Sequence, residues 1–227
     1  MTRLRRGMQG VSMVELLVGM AVGLLITAGG VMLLTGTLRE NRSLLLEARL
    51  MQDLRTAADL VARNLRRAGA WGGSSAGVWT PGASALLANP YTALAPSAAA
   101  SDAVTFQYSR DAVENHSVDS NEQLGFRLRA GVLEMRLGGA GWQAMTDANV
   151  VTVTRFDITP SVQAISLAGS CAKPCAAVAG AICPPQQWVR SFGVRIGARS
   201  VADANVQRHV QASVRLRNDP VVGACAA

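Results

Sequence analysis

Hydrophobic residues run from Leu16 to Leu34 without a charged interruption, and the pattern then changes to a repeating stripe. At helical rise the first stretch is about 28 Å long, close to the hydrocarbon thickness of a bilayer. A helix in a soluble core is seldom apolar on every face for that distance. From Arg39 the pattern is amphipathic. Met51, Leu54, Ala58, Val61, Leu65 and Ala68 recur at helical spacing, while Arg55, Asp59 and Arg63 mark a wetter face. Gly69 supplies a stop signal. The spacing predicts one helix over 11–68, with 11–38 embedded and 39–68 seeking a partner surface. Gly19 and Gly23 form a small-residue pair that permits close helix approach. Gly29, Gly30 and Gly36 predict a weakened helix, with local unwinding near Gly29.

Residues 69–101 are rich in Gly, Ala, Ser and Pro, with Trp71 and Trp79 early and Pro81, Pro90 and Pro96 spread through them. That composition predicts a loop with short turns. Beyond it the period falls to that of a strand. Val104, Phe106 and Tyr108 alternate. So do Leu124, Phe126 and Leu128, then Leu133, Met135 and Leu137, with Ala130-Gly131 between them as a hairpin turn. Val151 and Val153, followed by Phe156 and Ile158, predict a strand with a change of face between the two pairs. Trp188-Val189, Val194 and Ile196 follow. Last come Val210, Ala212, Val214 and Leu216, with Gln211, Ser213, Arg215 and Arg217 opposite. The expected fold class is α+β: a long N-terminal helix, transmembrane in its first half, packed on a mostly antiparallel sheet over 102–218, with 219–227 as a tail.

Composition narrows the chemistry. Aromatics make up only 4 % of the chain, so the core must be largely aliphatic. The formal charge is +7, and Lys173 is the single lysine, so the basicity is arginine. Those arginines are spread out, which reads first as a solvated surface and second as a diffuse contact for nucleic acid or anionic lipid. Cys171, Cys175, Cys183 and Cys225 all fall late in the chain. Their spacing fits no common zinc pattern, and neither His116 nor His209 is near them in sequence. Disulfides formed in an oxidising compartment are expected, with all three pairings open. No metal or cofactor is expected. Asp111, Glu114, Asp119 and Glu122 lack the spacing of a calcium loop and read as a solvated acidic loop. Gly138-Gly139-Ala140-Gly141 leads into Trp142 and strand-like residues rather than a helix, so it is no phosphate cradle. No catalytic constellation emerges, and an enzyme is not expected.

One residue in the apolar segment needs a reason. Glu15 stands at its front, and a carboxylate at mid-bilayer costs about 2.5–3.5 kcal/mol, less near the boundary. It either snorkels to water or has a partner charge. Arg3, Arg5 and Arg6 precede it, which places the N-terminus in the cytoplasm and the bulk of the chain outside. A cut after Gly10 would leave the apolar segment in place, unlike cleavage of a secretory signal. It would also give Val11 a free amine, largely cationic at neutral pH, four residues from Glu15.

Gly10-Val11-Ser12-Met13-Val14-Glu15 behind a basic leader resembles the class III signal of type IV prepilins and type II secretion pseudopilins. The resemblance implies a leader over 1–10 and cleavage by prepilin peptidase between Gly10 and Val11. It implies N-methylation of Val11, an assembly role for Glu15, and the pilin fold. The usual first mature residue is Phe; Val11 departs from it but stays apolar. Leu65-Arg66-Arg67-Ala68-Gly69, Asp102-Ala103-Val104-Thr105-Phe106, Trp188-Val189-Arg190 and Val214-Arg215-Leu216-Arg217-Asn218 are similar to PilW-type minor pilins. These are similar in turn to the J-type minor pseudopilin. That likeness implies a low-abundance structural subunit at or near a pilus tip that primes assembly. Its partners would be prepilin peptidase, other minor pilins, the major pilin and the inner membrane. It would sit in that membrane before assembly and in a surface pilus afterwards. A DNA-uptake or adhesion pilin on the same anchor, and an ordinary uncleaved single-pass protein, are the competing expectations.

Overall fold

The computed structural model describes residues 10, 12–77, 88–175 and 182–225. Arg3, Arg5 and Arg6 of the expected leader, Val11, Trp79 and Pro81 lie outside the described residues. The chain divides into two compact units, residues 1–46 and 47–227.

One helix, α1, runs Met13–Arg67. It continues through Gly29, Gly30 and Gly36, so the expected unwinding is absent. A glycine costs a helix about 1 kcal/mol against alanine, too little to break a helix this long. In the second unit the helix buries Leu50, Leu54, Ala57, Ala58, Val61, Ala62 and Leu65. Met51 is only half-buried, because Leu50 takes the inward position, and Ala57-Ala58 and Val61-Ala62 widen the stripe. Gly69 ends the helix at φ +75°, a left-handed conformation that glycine adopts without a Cβ penalty.

The strands form two antiparallel sheets rather than one. Sheet A has the order β1 (Leu94–Ala95), β2 (Ala103–Gln107), β3 (Gln123–Arg129), β4 (Val132–Leu137) and β5 (Trp142–Ala144). Sheet B has the order β6 (Val151–Ser166), β7 (Gln186–Ser200) and β8 (Gln207–Arg215), with β9 (Val221–Val222) also paired to β7. The break between sheets falls at Asp147, whose Oδ1 accepts from Asn149 N–H at 2.8 Å and whose carbonyl accepts from Val151 N–H at 2.9 Å. That Asx turn ends the first ladder and aims β6 elsewhere. The hairpin turn lies at Ala130-Gly131, with φ +50° and +78°, as a type I′ turn requires.

The change of face expected in β6 does not occur. Val151, Val153, Phe156 and Ile158 are all buried, and the register shifts between Val153 and Arg155. The bulge absorbs one residue, so the apolar parity changes while the buried side stays the same. Phe106, Phe126, Phe156, Phe192, Ile158, Ile196, Leu54 and Leu65 form the core. The end of α1 is pinned to the end of β2 and to the chain that follows β8. Gly69 N–H donates to Gln107 O at 2.8 Å, Asn218 Nδ2 donates to Ala68 O at 3.2 Å, and the Arg67 guanidinium lies 4.3 Å above the Tyr108 ring.

The acidic loop is not simply solvated. Glu122 has 0 % exposure, and its carboxylate accepts from the N–H groups of Arg110 and Asp119, each at 2.8 Å. The Tyr91 hydroxyl lies 2.9 Å from Glu114 Oε1 and 3.3 Å from Glu122 Oε1, facing acceptors. Burial and the Glu114 hydrogen bond together push its phenol pKa upward. Glu114 is held below the usual carboxylate range. Burial acts to raise it, but donors from Ser109, Gly72, His116 and Tyr91 outweigh that. Asp111 is pushed up, by burial first and then by the Glu122 charge, and its Oδ2 is buried without a partner. A raised carboxyl binds its proton more tightly folded than unfolded. Its contribution is therefore complete below the ordinary aspartate range and is lost as pH rises through the raised folded value. Asp111→Asn should match the parent near about pH 3 and exceed it in melting temperature once pH rises past the raised folded value, checked by thermal unfolding across about pH 3–8. Parallel pH curves for parent and variant would refute this assignment.

Candidate processing and assembly site

The site begins with a serine. Ser12 caps α1: its Oγ accepts from Glu15 N–H at 3.2 Å, and its carbonyl accepts from Leu16 N–H at 3.1 Å. Ser-x-x-Glu is the sequence of a capping box, and the first half of that box is present. Glu15 therefore stands in the first turn, near the positive end of the helix dipole, where a carboxylate gains about 0.3–1 kcal/mol. Its side chain is exposed. Gly10 is also exposed, and no atom lies within 4 Å of where its Cβ would be.

Behind Glu15 the helix presents apolar side chains on every side. Leu25 is 75 % exposed, and Leu16, Val22, Ile26, Met32 and Leu33 are likewise exposed. An 18-residue window of α1 has mean hydropathy 2.3 with 0 % of it buried, so α1 is long and apolar enough to cross a membrane. Its hydroxyls are turned inward. Thr27 Oγ1 donates to Gly23 O at 2.9 Å, and Thr35 Oγ1 donates to Val31 O at 2.9 Å. Hydrocarbon demands such internal pairing, because it offers no partner of its own.

The other predicted residues lie elsewhere. The cysteine sulfurs join Cys171 to Cys225 and Cys175 to Cys183. His116 accepts from Trp71 Nε1 at 3.2 Å through Nδ1. His209 lies on β8 in a shallow depression with Arg155, Arg195 and Arg208. Arg155 pairs with Asp157, Arg208 with Glu47 and Arg215 with Asp219, so part of the arginine charge is already balanced. A residue that periodicity missed is Arg190, a cation 9 % exposed whose Nη2 donates to Asn218 O at 2.9 Å. An arginine directly between Val189 and Ser191 in a strand carries no local sign of burial.

Residues 43–216 match the family model of prepilin peptidase-dependent protein B. The chain belongs to that family. No curated protein and no solved structure matches it. The matched region begins after the apolar stretch, so it excludes Gly10, Val11 and Glu15. The family match therefore rests on residues other than these, and its description itself names a dependence on prepilin peptidase. This is a pilin-like protein: one long N-terminal apolar helix whose second half packs on antiparallel sheets. Members of the family are structural components of the pilus or pseudopilus kind, and the exposed helix is consistent with a membrane anchor.

Proposed function

We propose that the chain is a minor type IV pilin of the PilW type, placed at or near the pilus tip, where it helps to prime assembly. Prepilin peptidase cuts between Gly10 and Val11 and methylates the new Val11 amine. The carrying observation is an apolar helix, exposed on all sides and headed by Glu15, in a chain of the peptidase-dependent family. In the membrane Glu15 is disfavoured by up to about 3 kcal/mol unless a cation meets it. The Val11 amine of the adjacent subunit supplies one, so assembly relieves the charge. Ser12 supports this by holding the first turn, which keeps Glu15 at the depth of the cut. A second reading, a J-type pseudopilin of type II secretion, rests on the same residues, since the family description specifies the peptidase and no filament.

Mass spectrometry of the full chain from cells tests the proposal. The mature protein should start at Val11 with one added methyl group, and Gly10→Leu should retain the leader. Glu15→Ala should insert normally, yet lower the amount in sheared filaments about tenfold or more, as loss of an ion pair in hydrocarbon implies. A mature chain beginning at Met1 refutes the processing. Unchanged filament content of Glu15→Ala refutes the pairing. Loss of pili versus loss of secretion on deletion separates the two filaments.

A further inference from the structure

The outer face of sheet B carries a notch with a glycine at its floor. Directly opposed residues of an antiparallel pair share a face. Gly197 of β7 opposes Arg155 of β6 on one side and His209 of β8 on the other. Along β7 the next residues on that face are Arg195 and Arg199, each about 7 Å from Gly197. Arg155, Arg195, Arg199 and His209 are all exposed, whereas Ile196 and Ala198, on the opposite face of β7, are buried in the core. Three guanidiniums and an imidazole thus surround one residue that has no side chain of its own. The depression here measures about 370 Å³ and is lined by Arg155, Arg195, Gly197, Gln207, His209 and Gln211 among others.

Two features of the strands build this notch. Gly197 lies in extended backbone, so no unusual φ calls for glycine. A Cβ there would lie 3.3 Å from Arg155 Cβ and 3.5 Å from Thr154 Oγ1, in the space the glycine leaves open. The bulge between Val153 and Arg155 is the second feature. Val153 opposes Ala198, so an unbroken register would set Thr154 against Gly197; the shift sets Arg155 there instead. Bulges re-aim side chains in this way.

The guanidinium groups have donors to spare. Arg155 donates to Asp157 through Nε, and its two Nη groups have no acceptor among the described residues. Arg195 Nη2 reaches Gln211 Oε1 at 3.4 Å, a long contact. Arg199 has no ion pair or side-chain hydrogen bond among the described residues. Arg208, by contrast, pairs with Glu47 and donates to Gln207 O at 2.8 Å. Asp157 is the single carboxylate in β6, β7 and β8, so Arg155, Arg195 and Arg199 leave two positive charges uncompensated around the notch.

We propose that the notch over Gly197 is a binding site for a phosphate group, free or within an ester. Arg195 and Arg199 supply charge from the two ends, and Arg155 and His209 donate from the neighbouring strands. A tetrahedral oxyanion offers acceptors in several directions at once, as donors converging from four sides require, while a carboxylate has two oxygens in one plane. The flanking residues on this face, Thr152, Thr159, Gln207, Gln211 and Ser213, are polar, so the notch has no apolar wall for an acyl chain or a hydrophobic side chain. The inference does not depend on which filament the chain joins.

The test is NMR of the full chain, carrying 13C-labelled histidine, in non-ionic detergent micelles at low ionic strength. His209 reports on the notch, and His116, in the loop before β3, is an internal control for pH and bulk salt. Inorganic phosphate, dimethyl phosphate and acetate are titrated in turn at fixed pH. Phosphate should move the His209 signals saturably and leave His116 in place. Arg195→Gln and Arg199→Gln alter exposed side chains, so each should weaken phosphate binding about fivefold or more at an unchanged melting temperature. Saturation by both phosphate and dimethyl phosphate supports a site that accepts a diester; saturation by phosphate alone supports one for free phosphate or a monoester. Acetate binding as tightly as inorganic phosphate overturns the proposal. So does equal movement of both histidines, absence of saturable movement at His209, or unaltered affinity in both arginine variants.

Discussion

Glu122→Ala lowers the unfolding free energy of the sheet-bearing unit by about 3–5 kcal/mol. The carboxylate has no exposed surface and serves the N–H groups of Arg110 and Asp119. Removing it leaves both part-buried donors without their acceptor, at about 1–3 kcal/mol each, and leaves a cavity where the buried side chain was. Glu122→Gln keeps one acceptor oxygen and should lose less than half as much. Domain stability is typically about 5–15 kcal/mol, so the alanine variant should show a large drop in steady-state level. Urea unfolding followed by far-UV circular dichroism checks the order of the two variants. Equal losses would mean that shape, and not hydrogen bonding, is what Glu122 provides. The turn around it is also tight on its other side: a Cβ on Gly138 would lie 2.4 Å from Asn121 Cα.

Breaking the Cys171–Cys225 link costs more than breaking Cys175–Cys183. The first spans 54 residues of sequence and the second 8. The chain-entropy relation gives about 4 kcal/mol for a loop of the first size and about 2.5 kcal/mol for the second. Paired Cys171→Ser and Cys225→Ser changes should therefore produce the larger fall in denaturation midpoint, and dithiothreitol, which opens both links, should lower the parent's midpoint further than either pair of substitutions alone. The long link also ties the chain after β9 to the connection between β6 and β7. Its loss should release β9 first, visible as faster amide exchange at Val221 and Val222 than at Val194 or Ile196. Equal midpoints for the two double variants would contradict the loop-length argument.

Much of the fold is legible without coordinates, and for physical reasons. A run apolar on every face can only be stable against lipid or protein, and a stripe at helical spacing needs one covering surface. Both features of α1 follow from periodicity alone. So do the β3–β4 hairpin, through Ala130-Gly131, and the alternating cores of β2 and β3. The candidate site was equally local: Gly10, Ser12 and Glu15 lie within six positions, and their significance depends on spacing along one helix start. The cysteines were different. Pairing is decided by which segments meet in space: the sequence allows three pairings, and the fold joins Cys171 to Cys225 and Cys175 to Cys183.

Short-range order alone carries the long apolar helix and the α+β class, and the proposed signal around Gly10 and Glu15 is written in the same local way. Other features depend on contacts between distant segments. The split into two sheets at Asp147, the bulge that keeps Val153 and Phe156 on one side, and the disulfide partners are of that kind. So are the burial of Glu122 and the isolation of Arg190. A carboxylate or a guanidinium looks solvated in any linear pattern; its surroundings exist only after chain far away in sequence has closed over it.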